Sequence, residues 1–168
     1  MRDDSSKLSV RPARPTGSLP RRARFRSGNA VLDMAFVLPV LLMVSFGAVE
    51  YGYAMFVKHT LHSAAREGAR AAIVAGADAA AVQKQVDNAM AVAGFPQSKY
   101  TRPPTIELQK INTSTWSTAW TGATAGDSIR VTVKTTWSSA GISVLPSFMG
   151  GIPPTKQLTG GATMRREG

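Results

Sequence analysis

Along the chain the spacing of apolar residues changes character twice, and each change marks a different kind of element. Residues 1 to 28 show no hydrophobic period and carry Pro12, Pro15, Pro20 and Gly17, so neither a helix nor a strand finds a face to bury there. They are expected to be a disordered leader. From Ala30 the text becomes AVLDMAFVLPVLLMVSFGAV, and Met34 to Val49 contains no charged side chain. A bilayer core of about 30 Å takes roughly 20 helical residues. The run therefore predicts a membrane-spanning helix that either extends past Glu50 toward Val57 or begins before Asp33. Pro39 removes one helical hydrogen bond and predicts a bend near residues 35 to 39. Tyr51, Tyr53 and Phe56, followed by Lys58 and His59, have the amphipathic chemistry of the outer interface.

The helical period continues beyond the apolar run. In TLHSAAREGARAAIVAG, residues Leu61, Ala64, Ala65, Gly68 and Ala72 share one side, while Glu67 and Arg70 stand three apart on the other. Gly76 offers a stop, and Asp78 offers an N-cap for a second helix through Ala93 with Val82, Val86, Ala89, Met90 and Ala93 as its apolar stripe. Gly94 and Pro96 end it. After Pro104 the period falls to two, weakly in TIELQKI and clearly in SIRVTVKTTW, where Ile129, Val131, Val133, Thr135 and Trp137 face one way. A third strand is expected from Gln157 to Arg166, weakened at Gly160 and Gly161. Between the strands, NTSTWSTAWTGATAG is a long polar linker, and SVLPSFMGGIPP is apolar enough to touch a membrane surface or a partner. No internal repeat is present.

The predicted class is α+β: a long N-terminal membrane-spanning helix extended outward, a second short helix, and a small antiparallel sheet of about three strands. The expected divisions are a basic cytoplasmic leader (1–28), the transmembrane helix and its extension (29–76), and an exported α+β domain (77–168).

Charge changes the picture mainly at the front. The formal net charge is +10, and eight basic residues precede Asn29 against only Asp3 and Asp4. A dense positive block abutting an apolar run is better explained by membrane topology and anionic lipid than by nucleic acid. Cysteine is absent, which excludes a disulfide framework, a thiolate metal site and a cysteine nucleophile, and leaves the redox compartment open. His59 and His62 are spaced for one helical face, but no third ligand completes a metal site. No triad grouping is possible around them, and neither Gly150-Gly151 nor Gly160-Gly161 leads into a phosphate-loop lysine. Neither a cofactor nor an enzymatic activity is expected. Trp116, Trp120 and Trp137 fit either an adhesive surface or core packing.

The order of GNAVLDMAFVLPVLL, GAVEYGYAMF, AAREGARAA, a strand opening GDSIRVTV and a terminal ATMRRE resembles the TadE-like pseudopilins of tight-adherence pilus systems, over nearly everything from Gly28 onward. The resemblance implies processing by a membrane prepilin peptidase, which cuts after a glycine that precedes four residues, a glutamate and an aromatic. The matching glycine is Gly28. Cleavage there leaves Asn29 as the new amino terminus, Asp33 at the fifth mature position and Met34 after it. Aspartate here stands for glutamate, one methylene shorter, and methionine stands for the aromatic.

Asp33 has two readings: a membrane carboxylate paired with the free amine of a neighbouring subunit, or a topological charge at the cytoplasmic interface. Glu50 lies about 25 Å further along a straight helix. It is either an interfacial acid facing water or an intermolecular partner for a cation such as Lys58 or Arg66 on a neighbouring helix. Arg66, Glu67 and Arg70 form either a solvated helix face or assembly contacts. The function implied is a minor pilin or pilus assembly component of the bacterial inner membrane, single-pass, with its N-terminus cytoplasmic and its C-terminal domain outside. Its expected partners are other pilins, inner-membrane assembly proteins, the prepilin peptidase and the lipid bilayer, with no nucleic acid. The competing functions are a secreted protein cleaved at a signal peptide and a basic membrane protein that binds nucleic acid.

Overall fold

The computed structural model describes residues 27–142 and 144–167, and the chain divides into two compact units, residues 1–36 and 37–168. The expected disordered leader, residues 1–28, lies outside the described residues up to Arg26, and its last two residues, Ser27 and Gly28, belong to the first helix. The first long element is α1, Ser27–Ala72, with Pro39 inside it. The helix continues through the proline, since membrane-type helices absorb the single lost hydrogen bond. It ends four residues before Gly76, which adopts a left-handed conformation (φ 76°) in the turn that follows.

Helix α2, Ala79–Val92, starts where expected because the Asp78 side chain accepts a hydrogen bond from the Ala81 amide at 2.6 Å. Strands β1 (Thr105–Gln109), β2 (Ser128–Thr136) and β3 (Gln157–Arg165) form one antiparallel sheet in the order β1-β2-β3. The period-two run was expected to carry Trp137 along with β2. Instead β2 stops at Thr136 and Trp137 opens a single helical turn, Trp137–Ala140, that leads into the segment from Gly141 to Pro154. The polar linker is less open than its composition suggests: Ser117 bridges to Leu108, and Trp120 is buried in a short 3-10 turn.

One face of the sheet carries Ile106 and Leu108 from β1 and Ile129, Val131 and Val133 from β2, all buried. They meet Val57, Leu61, Ala64, Ala65, Ala69 and Ala72 of α1 and Val82, Val86 and Met90 of α2 in one hydrophobic cluster. Each fully buried branched side chain of this kind contributes about 1.5–3 kcal/mol. The alanine-rich stripe of α1 is therefore a packing face. Register explains the small residues of β3: Val133 pairs with Gly160 and Val131 with Ala162, directly beneath the helix. A Cβ at Gly160 would intrude on the backbone of Leu61 and His62, so the glycine lets α1 and β3 approach closely. Gly68 instead makes room for α2 and β2, since a Cβ there would lie 2.7 Å from Val86 Cγ2 and 3.1 Å from Val131 Cγ1.

Candidate functional site

The stretch of α1 from Ala30 to Val49 differs from the rest of the helix in being exposed at nearly every position, including Val31, Phe36, Val40, Leu41, Val44 and Val49. Among the described residues, α1 is the one helix long and apolar enough to cross a membrane, and its most apolar window is not buried by the fold. A soluble core helix hides such residues; this one presents them outward.

At the N-terminal end, Gly28 and Asn29 fall in the first turn of α1, and Asp33 and Met34 follow as exposed residues of the same helix. All four belong to the unit 1–36. In the second unit, Arg66, Glu67 and Arg70 project from the exposed side of α1. Glu67 and Arg70 form the expected pair at 3.8 Å, in a solvent-exposed setting where such pairs contribute little. Arg66 instead lines a groove of about 480 Å³ with His59 and His62 against β3. His62 Nδ1 lies 3.1 Å from the Gly161 carbonyl oxygen and 3.3 Å from its amide nitrogen. Among the described residues no group of three or more His, Cys, Asp or Glu side chains is placed to hold a metal ion.

Residues 28–70 match the family model for TadE-like proteins. The match covers the first turn, the exposed apolar stretch and most of the packing face of α1, and it stops before α2 and the sheet. No curated protein and no solved structure gives a significant match.

Within α1, Glu50 departs from the expectation of an interfacial acid facing water. Its side chain is 1% exposed, with Oε2 accepting from the Leu145 amide at 2.9 Å and Oε1 accepting from the Ile152 amide at 2.8 Å. The physical reason is that the segment after Trp137 folds back along α1 and brings two backbone amides to the carboxyl group. Around this clasp the Tyr53 hydroxyl donates to the Ala140 carbonyl at 3.0 Å, and the Tyr51 hydroxyl donates to Gly150 at 3.3 Å. Leu145 and Ile152, which flank the loop, are buried. A Cβ at Gly47 would sit 3.6 Å from Leu145 Cδ1, an ordinary contact distance, so the leucine packs directly over that turn of α1.

Two further carboxyl groups organise the domain and escaped the sequence reading. Asp87 on α2 accepts from Tyr100 at 2.5 Å, from Gln83 at 2.5 Å and from Arg102 at 2.6 Å. Burial works to raise its pKa, but the bonds from Tyr100, Arg102 and Gln83 outweigh it and hold the pKa below the usual carboxylate value. Burial, together with Asp87, pushes the Tyr100 hydroxyl upward. Asp127 accepts from the Thr124 amide at 2.8 Å and the Ile111 amide at 2.9 Å, which lowers its pKa and ties the long linker to the start of β2. The signal available for it was an aspartate after glycine at a strand entrance, a common turn-closing arrangement.

Proposed function

We propose that the chain is a minor pilin or pilus assembly component of a tight-adherence system, held in the bacterial inner membrane by α1 and assembling laterally with other pilins. The observation that carries this reading is the coincidence of the TadE-like match at 28–70 with an exposed, bilayer-length apolar helix. The basic block before Asn29 favours a cytoplasmic N-terminus and an exported C-terminal domain. The work is structural and not enzymatic. A prepilin peptidase cuts after Gly28, and Asp33, exposed on the helix, then faces the new amino group of a neighbouring subunit.

Amino-terminal sequencing of the membrane-bound protein, with and without the cognate prepilin peptidase, tests the proposal. A start at Asn29 that depends on the peptidase is the expected result. A start near Ala48 with loss of membrane association would overturn it in favour of a secreted protein. An unprocessed, membrane-bound chain would leave an assembly factor that never becomes a mature subunit.

A further inference from the structure

From Gly141 to Pro154 the chain carries no charged side chain, and Leu145, Gly150 and Ile152 within it lie against α1. Leu145 and Ile152 turn inward, but Ile142, Val144 and Met149 are 54%, 37% and 38% exposed. The adjoining helix turns expose Met43, Val44, Phe46 and Val49. A Cβ at Gly150 would lie 3.8 Å from Met43 Cε, so the loop reaches about 10 Å further back along the helix axis than Glu50. Apolar surface concentrated in this way marks an interaction site.

Part of the loop's polar backbone is satisfied internally, as a setting poor in water favours. The amides of Met149, Gly150 and Gly151 bond to carbonyls within the loop, and those of Leu145 and Ile152 bond to Glu50. Pro146, Pro153 and Pro154 have no amide to satisfy. The same two bonds that hold the loop remove the one acid between Met34 and Val57 from its surroundings. Non-helical backbone at membrane depth requires this kind of internal satisfaction. Polar chemistry resumes at Thr155 and Lys156, both exposed.

We infer that the 141–154 loop is a second membrane contact, lying in the outer lipid boundary beside α1 with Ile142, Val144 and Met149 among the acyl chains. The occupant of this surface is lipid because the surface continues the exposed apolar face of α1. The inference rests on α1 being a membrane span. Insertion to about 5–10 Å, the depth of interfacial segments, fixes how far α1 sinks and holds the sheet close to the bilayer surface.

The native chain has no cysteine, so single cysteines report cleanly. Val144→Cys and Met149→Cys in the loop, Leu41→Cys in the span and Thr159→Cys on exposed β3 are each reconstituted into phosphatidylethanolamine/phosphatidylglycerol vesicles. A charged maleimide is supplied on both sides of the bilayer. Loss of labelling at 144 and 149, matching 41 and contrasting with ready labelling at 159, is the expected result. The same positions carrying an environment-sensitive dye should be quenched by spin-labelled acyl chains. Labelling at 144 and 149 as fast as at 159, with 41 still protected, overturns the loop contact while sparing the span. Labelling at 41 overturns the span and the loop contact together. Protection of the loop that disappears as protein is diluted in lipid overturns it differently, by making a second copy the occupant.

Discussion

Two acids in the N-terminal helix look alike in sequence and have opposite fates. Asp33 stays exposed, whereas Glu50 is enclosed by the amides of Leu145 and Ile152. Replacing Glu50 by Gln turns one acceptor into a donor that faces a backbone N–H. A buried donor left without a partner costs about 1–3 kcal/mol. Glu50→Gln should lower the urea midpoint of the detergent-solubilised protein and expose the 141–154 loop to protease, with Glu50→Ala doing both more strongly. An unchanged midpoint in both variants would mean that the clasp contributes nothing to the fold. The role of Glu50 was not legible in the sequence, because its partners stand 95 and 102 residues away and act through backbone atoms that carry no side-chain signature. The available sign was indirect: a lone acid in an apolar helix and, far downstream, a charge-free segment rich in glycine and proline.

At the level of elements, local pattern carried most of the information. The α1 stripe from Leu61 to Ala72, the Asp78 cap, the α2 stripe and the three strands were legible because each buries one face, and burial imposes its period on the sequence. Two details were not. Trp137 kept the alternation but left the strand, since its carbonyl accepts from the Gly141 amide to close a helical turn while its ring packs with Ala54 and Ile152 beside Tyr53. Gly160 read as a weakness in β3, yet it lies where strand and helix approach closely. Gly160→Ala should force α1 and β3 apart and destabilise the domain by about 1–3 kcal/mol, the usual cost of overpacking. Gly161→Ala is the matched control, because a Cβ there meets only ordinary contacts. Thermal melts of the two variants read the difference, and equal melting temperatures would contradict the close crossing.

For the molecule as a whole, acid sensitivity should come from the domain built by α2 and the sheet. Asp87 and Asp127 have lowered folded pKa values, so their stabilisation is complete above the unfolded value of 3.8 and is lost as pH falls through the folded values. Tyr100 works in the other direction, losing its contribution as pH rises above the unfolded value of 10.0. The melting temperature should therefore hold level between these limits and fall on the acid side. Asp87→Asn should lower the plateau and flatten the acid limb in circular dichroism melts across pH. An acid limb unchanged in that variant would assign the transition to other carboxylates.

Glu50 also sets an order of events in time. The helix that bears it leaves the ribosome first, and at 5–20 residues per second the partner amides follow on the order of 5–20 s later. During that interval the newborn helix carries an unsatisfied acid, and only arrival of the penultimate loop removes it. A chain interrupted before Leu145 would retain its apolar helix and most of its core but keep that acid open.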